Sequence, residues 1–142
     1  MAQVTARTER TIDAPAERVR AALSDYEKVR PAILTEHYRD YRVEPDGRVH
    51  WTLQATKKRV RDQLVEVSTA DPDRIVERDT NSSMVTTWTV TPAGPDRSVV
   101  AVESSWTGAG GVGGFFERTF APKGLQRIHD GVLANLAGAV RG

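Results

Sequence analysis

The ionisable residue best placed for chemistry in this sequence is His129, which lies on the apolar stripe of a C-terminal helical pattern. An imidazole that faces an apolar interior has its pKa lowered by desolvation. Such a group suits general acid–base chemistry at an enolisable carbonyl. A histidine that only fills part of the core fits the same pattern. His129 is therefore the candidate catalytic residue, and both interpretations stay open.

Three tryptophans (Trp51, Trp88 and Trp106) fall at inward-facing positions of three predicted strands. Aromatic side chains dominate protein cores, but an indole N–H can also orient the polar end of a ligand. Ser104 is two residues before Trp106 on the same predicted strand, so its hydroxyl faces the same side of the sheet as the Trp106 ring. The residues predicted to contact a ligand are Trp51, Leu53, Trp88, Ser104, Trp106, Phe116, Phe120, His129 and Leu133.

Residues 108–113 match the pattern G-x-G-x-x-G and stand between a predicted strand and a predicted helix. A dinucleotide site of this kind needs a further strand after the helix. The sequence ends with that helix, so we expect no dinucleotide site. Segment 108–114 is expected to be either a plain loop or a hinge that gates a cavity.

Composition excludes several classes of function. The net charge is +1 over 142 residues, which gives no basic field for nucleic acid. The absence of cysteine excludes disulfides, thiolate metal sites and cysteine nucleophiles. Histidines and carboxylates lack the spacing of metal ligands, and there is no G-x-S-x-G motif, so we expect neither metal, nor cofactor, nor serine hydrolase chemistry. No stretch approaches the roughly 18 apolar residues of a membrane helix, and we expect a cytoplasmic monomer or homodimer without stable membrane insertion.

The elements that must position these side chains are a sheet and a closing helix in a single domain covering residues 1–142. Alternating residues predict a first strand over 4–12, followed later by five or six strands between 37 and 106, joined by tight turns. Two short helices are expected between them, over 15–23 and 26–33. Pro15 is predicted at the first helical position, with Glu17 reaching back to the N-cap amide, and Pro31 is expected to interrupt the second helix.

The remaining predictions concern the fifth strand and the C-terminal helix. The polar strand 74–79 is expected at an edge of the sheet or strongly exposed. Pro122 is expected to divide the region from 115 to 140 into a short helix and a long one. The apolar stripe that should cover the sheet consists of Leu125, Ile128, Val132, Leu136 and Val140.

Three segments carry a resemblance to a known superfamily. They are Ile12-x-Ala14-Pro15-Ala16-Glu17-x-Val19 with Leu23-x-Asp25, then Thr87-Trp88-Thr89-Val90-x-Pro92-x-Gly94, and finally Asn135-Leu136. With the element order, they resemble the helix-grip superfamily of START-like lipid-binding domains, Bet v 1-type allergens and aromatic polyketide cyclases. The chain is most similar to the bacterial SRPBCC, or polyketide cyclase/dehydrase-like, branch over essentially its whole length. The resemblance implies an α+β fold with a curved antiparallel sheet of six to seven strands around a long C-terminal helix.

The resemblance implies a container for a hydrophobic small molecule and leaves three functions open, because one fold hosts many functions. The first is non-catalytic binding, transport or sequestration of a lipid or polyketide-like metabolite. The second is a cyclase/dehydratase enzyme in which the pocket directs aldol closure and His129 or a tyrosine moves protons. The third is a structural or interaction module with no ligand.

Overall fold

The computed structural model describes residues 3–56, 59–107 and 122–141. Its strands are β1 (Gln3–Ile12), β2 (Tyr38–Val43), β3 (Val49–Thr56), β4 (Arg59–Ser68), β5 (Arg74–Asp79), β6 (Val85–Pro92) and β7 (Ser98–Thr107); its helices are α1 (Ala16–Ser24), α2 (Val29–Ile33) and α3 (Pro122–Val140). In this part of the chain, the seven strands form one antiparallel sheet in the order β1-β7-β6-β5-β4-β3-β2. The predicted helix-grip fold is confirmed.

One face of the curved sheet is apolar because alternate residues of each strand point to the same side. The predicted inward positions of Trp51, Trp88 and Trp106 are confirmed, since all three side chains are buried. α3 covers this face with its apolar stripe, and all five predicted stripe residues are buried. The sheet and α3 therefore enclose the interior between them.

The junction between β1 and α1 differs from the prediction by one residue. Pro15 has an extended backbone (φ −61°, ψ 146°) and is the N-cap, so the helix begins at Ala16. Its carbonyl accepts the N–H groups of Arg18 and Val19 at 3.0 and 3.1 Å. The capping role predicted for Glu17 is wrong, because a proline at the N-cap has no N–H for a carboxylate to accept.

Two other prolines lie in the first turn of a helix, and the predicted interruption of α2 at Pro31 is wrong. Pro31 lies within the first turn of α2, where a backbone N–H has no partner inside the helix, so the ring does not interrupt it. Pro122 is the first residue of α3, a position that its fixed φ favours. The short helix predicted before Pro122, the glycine segment 108–114, and Phe116 and Phe120 lie outside the described residues.

The prediction that β5 is an edge or strongly exposed strand is wrong. β5 lies in the interior of the sheet between β4 and β6. Its polar residues Glu77 and Asp79 point inward beside Ile75, and all three are buried. The polar composition of β5 led to the wrong prediction, because its two inward carboxylates have hydrogen-bond partners inside the protein. None of the described helices is long and apolar enough to cross a membrane.

Candidate functional site

An enclosed cavity lies between the concave face of the sheet, α2 and α3. Its volume is about 20 Å³, which is room for about one water molecule. The apolar part of its wall includes Trp51, Leu53 and Trp88. Described residues with polar side chains also line it: Arg30, Tyr38, Gln63, Glu77, Thr86 and His129. The interior is thus small, apolar on most sides and polar at its centre.

A buried ion pair joins α2 to β5 at this centre. The Nη2 atom of Arg30 lies 2.8 Å from Oε2 of Glu77, and each side chain is at most 3% exposed. The Tyr26 hydroxyl donates to Oε2 of Glu77 at 2.5 Å, and the Trp88 indole N–H donates to Oε1 at 3.0 Å. The Glu77 carboxylate therefore accepts hydrogen bonds from three side chains, which lie on α2, on β6 and on the connection between α1 and α2.

The guanidinium group of Arg30 is held between two aromatic rings. Its central carbon lies 4.5 Å from the Tyr26 ring centroid and 4.8 Å from that of Trp88, distances that suit cation–π contacts. Nη1 donates to the carbonyl of Leu23 at 3.1 Å, while Nε has no hydrogen-bond partner among the described residues. Burial opposes the charge on Arg30, but Glu77 and the neighbouring phenols outweigh burial and raise its pKa.

Three tyrosines surround the pair and stay protonated. Burial raises the pKa of Tyr26, Tyr38 and Tyr41, and the negative charge of Glu77 raises each further. The Tyr41 hydroxyl donates to the carbonyl of Tyr26 at 2.6 Å, and the Tyr38 ring meets Trp51 edge to face at 6.0 Å. Tyr26 and Tyr41 therefore act as neutral hydrogen-bond donors, Tyr38 lines the cavity, and none of the three supplies a phenolate.

His129 belongs to a hydrogen-bonded chain that crosses from α3 to the sheet. Its Nε2 lies 2.8 Å from the Ser104 Oγ, which lies 2.6 Å from Oγ1 of Thr86 on the cavity wall. Nδ1 has no hydrogen-bond partner among the described residues. Burial lowers the pKa of His129 to about 4, against a smaller opposing effect of Glu77. The imidazole is therefore uncharged at neutral pH.

A second polar cluster fixes the position of Trp51. Its indole N–H donates to Oε1 of Gln63 at 2.7 Å, and the amide nitrogen of Gln63 lies 3.4 Å from Oδ2 of Asp79. Asp79 also accepts from the Ser82 hydroxyl at 2.7 Å and from the Leu64 N–H at 3.1 Å. Asp79 thus holds the turn between β5 and β6 and, through Gln63, the Trp51 ring in the cavity wall.

The predicted site residues separate into three groups. Trp51, Leu53, Trp88 and His129 line the cavity. The others that the structure describes, Ser104, Trp106 and Leu133, are buried close by, with Ser104 in contact with His129. Phe116 and Phe120 fall outside the described residues. Contact of any of these residues with a ligand stays a prediction.

Arg30, Glu77 and Gln63 were missed by sequence reasoning. Strand parity contained a signal for the last two, because Glu77 shares the inward side with Ile75, and Gln63 shares it with Val65. For Arg30 the signal is weaker, since a single arginine within the apolar segment Val29–Ile33 is ordinarily a surface residue.

The curved sheet around a C-terminal helix, with a polar-centred cavity between them, defines a START-like helix-grip protein. The chain belongs to the family described as polyketide cyclase / dehydrase and lipid transport, whose sequence profile matches residues 3–141.

Solved structures share the fold of this chain. The chain is 50% identical to the KanY protein, with each chain covered completely and a TM-score of 0.88. It is 13% identical to the ZhuI aromatase/cyclase from Streptomyces sp. R1128, covering 98% of this chain and 94% of that one, with a TM-score of 0.76. A START superfamily protein from Mycobacterium smegmatis is also 13% identical, with 96% of each chain covered and a TM-score of 0.70. No functionally curated protein matches the sequence.

Proposed function

We propose that the protein binds a small, mostly apolar molecule in the cavity between the sheet and α3, with one polar group of the ligand at the Arg30–Glu77 pair. The observation that carries the proposal is the position of this ion pair, buried on the cavity wall. A buried pair is often no more stabilising than apolar residues of similar volume. Its place on the wall of a largely apolar cavity therefore favours a role in recognition.

The present cavity volume limits the size of the ligand and the way in which it enters. Pockets for drug-sized ligands have volumes of about 300–1,000 Å³, whereas this cavity has about 20 Å³. A ligand must therefore displace side chains of the wall. Met84 is unbranched and adapts readily to new shapes, and the side chains of Leu34 and Tyr38 are only half-buried. These three residues are the part of the wall that we expect to move.

Native mass spectrometry of protein purified without detergent tests this proposal, followed by titration with a fluorescent fatty acid and with methyl 2-naphthoate. Leu53→Phe places extra volume in the cavity wall, while Leu64→Phe makes the same change on β4 with the side chain on the outer face. We expect wild type and Leu64→Phe to bind at least one of these molecules and Leu53→Phe to bind at least tenfold more weakly. Circular dichroism checks that both variants fold. Wild-type protein that carries no added mass and binds neither probe would contradict the proposal.

A structural or interaction module is the second candidate, and the small cavity volume favours it. Under that function, Leu53→Phe and wild type would behave alike in every ligand assay. Proton transfer by His129 has weaker support, because a general base works best when its pKa lies near the working pH. A pKa of about 4 leaves the imidazole a weak base at pH 7.

A further inference from the structure

The charged side chains around the cavity balance one another. Arg30 and Glu77 form a pair of opposite charges in direct contact. Asp79 on β5 and Arg61 on the neighbouring strand β4 carry opposite charges, and Asp79 partly offsets the lowering of the Arg61 pKa by burial. His129 and the surrounding tyrosines are uncharged at neutral pH. The described residues therefore give the site no net charge.

The hydrogen-bonding capacity of the ion pair is unequal between its partners. Both oxygens of Glu77 are occupied, by Tyr26 and Arg30 on one and by Trp88 on the other. The guanidinium of Arg30 has more N–H groups than its two bonds to Glu77 and Leu23 use, and Nε has no described partner. The pair therefore has three unused N–H groups on Arg30 and only one unused acceptor position, on Oε1 of Glu77.

From the balance of charges and from the unused N–H groups of Arg30, we infer that the site selects an uncharged ligand. This ligand presents a hydrogen-bond acceptor, such as a ketone, ester or ether oxygen, to Arg30. The inference rests on the proposed function and adds the chemical class of the ligand. A carboxylate would also satisfy the spare donors, but it would bring an uncompensated negative charge into a buried site where Glu77 already neutralises Arg30. An ammonium group would likewise bring an uncompensated positive charge into the buried site, beside the positive charge of Arg30.

Isothermal titration at pH 7 with three probes of similar shape tests the inference: methyl 2-naphthoate, 2-naphthoate and 2-naphthylmethylammonium. We expect the ester to bind wild type about a hundredfold more tightly than either ion, because an uncompensated buried charge is strongly unfavourable. Equal affinities for ester and carboxylate would overturn the inference and leave the proposed function standing. Failure of all three probes to bind a protein that does bind the fluorescent fatty acid would overturn the inference alone, whereas failure of every probe, with no added mass on the purified protein, would overturn both.

The variant Glu77→Gln removes the compensating charge and leaves Arg30 in place. We expect it to reverse the preference, so that 2-naphthoate binds at least tenfold more tightly than the ester. Glu66→Gln is the matched control, since it removes the same charge at an exposed residue of β4, and it should behave as wild type. A folded Glu77→Gln protein that still prefers the ester by a hundredfold would overturn the inference.

A measurement on wild type alone covers the case in which Glu77→Gln does not fold. If only the uncharged acid enters the site, the apparent affinity for 2-naphthoate falls about tenfold for each pH unit above the pKa of the acid. The affinity for the ester stays constant over the same range. An affinity for 2-naphthoate that does not change with pH would overturn the inference.

Discussion

Acidification should destabilise the folded protein through His129. The imidazole has a pKa of 6.5 in an unfolded chain and about 4 in the buried site, mainly because burial disfavours its charged form. Between these two values the unfolded chain binds a proton that the folded protein does not, so stability falls as pH falls. One pH unit of such linkage corresponds to about 1.4 kcal/mol. Lowering the pH from 7 to 5 should therefore reduce the free energy of unfolding by about 2 kcal/mol through this residue.

Urea denaturation at both pH values, for wild type and for His129→Gln, isolates this contribution, because all other titrating groups are common to the two proteins. We expect the drop in unfolding free energy to be about 2 kcal/mol larger in wild type. Ser104→Ala is the control: it removes the hydrogen bond to Nε2 but keeps the buried imidazole. It should lose about 1 kcal/mol at both pH values and keep the wild-type pH dependence. The same pH dependence in wild type and His129→Gln would refute the reasoning.

Two further predictions concern helix packing and the ion pair. A Cβ atom at Gly131 would lie 2.9 Å from Cγ2 of Thr35, whereas one at Gly138 would meet nothing within 4 Å. Thermal unfolding should therefore show that Gly138→Ala stabilises the protein by about 0.5–1 kcal/mol, while Gly131→Ala gains less or destabilises it; equal gains would contradict this packing. Arg30→Met should cost about 3–5 kcal/mol, because it leaves the Glu77 carboxylate buried without its cation. Denaturant titration should show that adding Glu77→Gln restores part of that loss, and a double variant as unstable as the sum of the two single variants would contradict the pairing.

The fold followed from sequence because its signals are local. Alternation along β3, β6 and β7 places Trp51, Trp88 and Trp106 on one face whatever the partners of each strand. The stripe of α3 likewise places His129 inward without knowledge of the sheet. Patterns with a period of two or of 3.6 residues were therefore sufficient to locate the strands, the C-terminal helix and the aromatic wall, while the arrangement of these elements came from the family resemblance.

The polar centre did not follow, because strand parity alone does not outweigh the usual preference of a charged side chain for solvent. Glu77 reads as an exposed residue on a polar strand until Arg30, Tyr26 and Trp88 are seen to surround it. Whether a carboxylate points into the core depends on a partner on a distant element, and a single sequence does not reveal that partner. The same limit explains the wrong edge position of β5, since sheet order depends on pairing between strands.

The most direct test of ligand binding at the Arg30–Glu77 centre is a titration of ¹⁵N-labelled protein with methyl 2-naphthoate, followed by ¹H–¹⁵N spectra. The indole N–H groups of Trp51 and Trp88 and the guanidinium of Arg30 report on the cavity wall. We predict saturable shifts of these three side-chain signals, with little change at Ala101 on the outer face of β7. Spectra in which the three signals stay fixed while the ester is in excess would contradict the account.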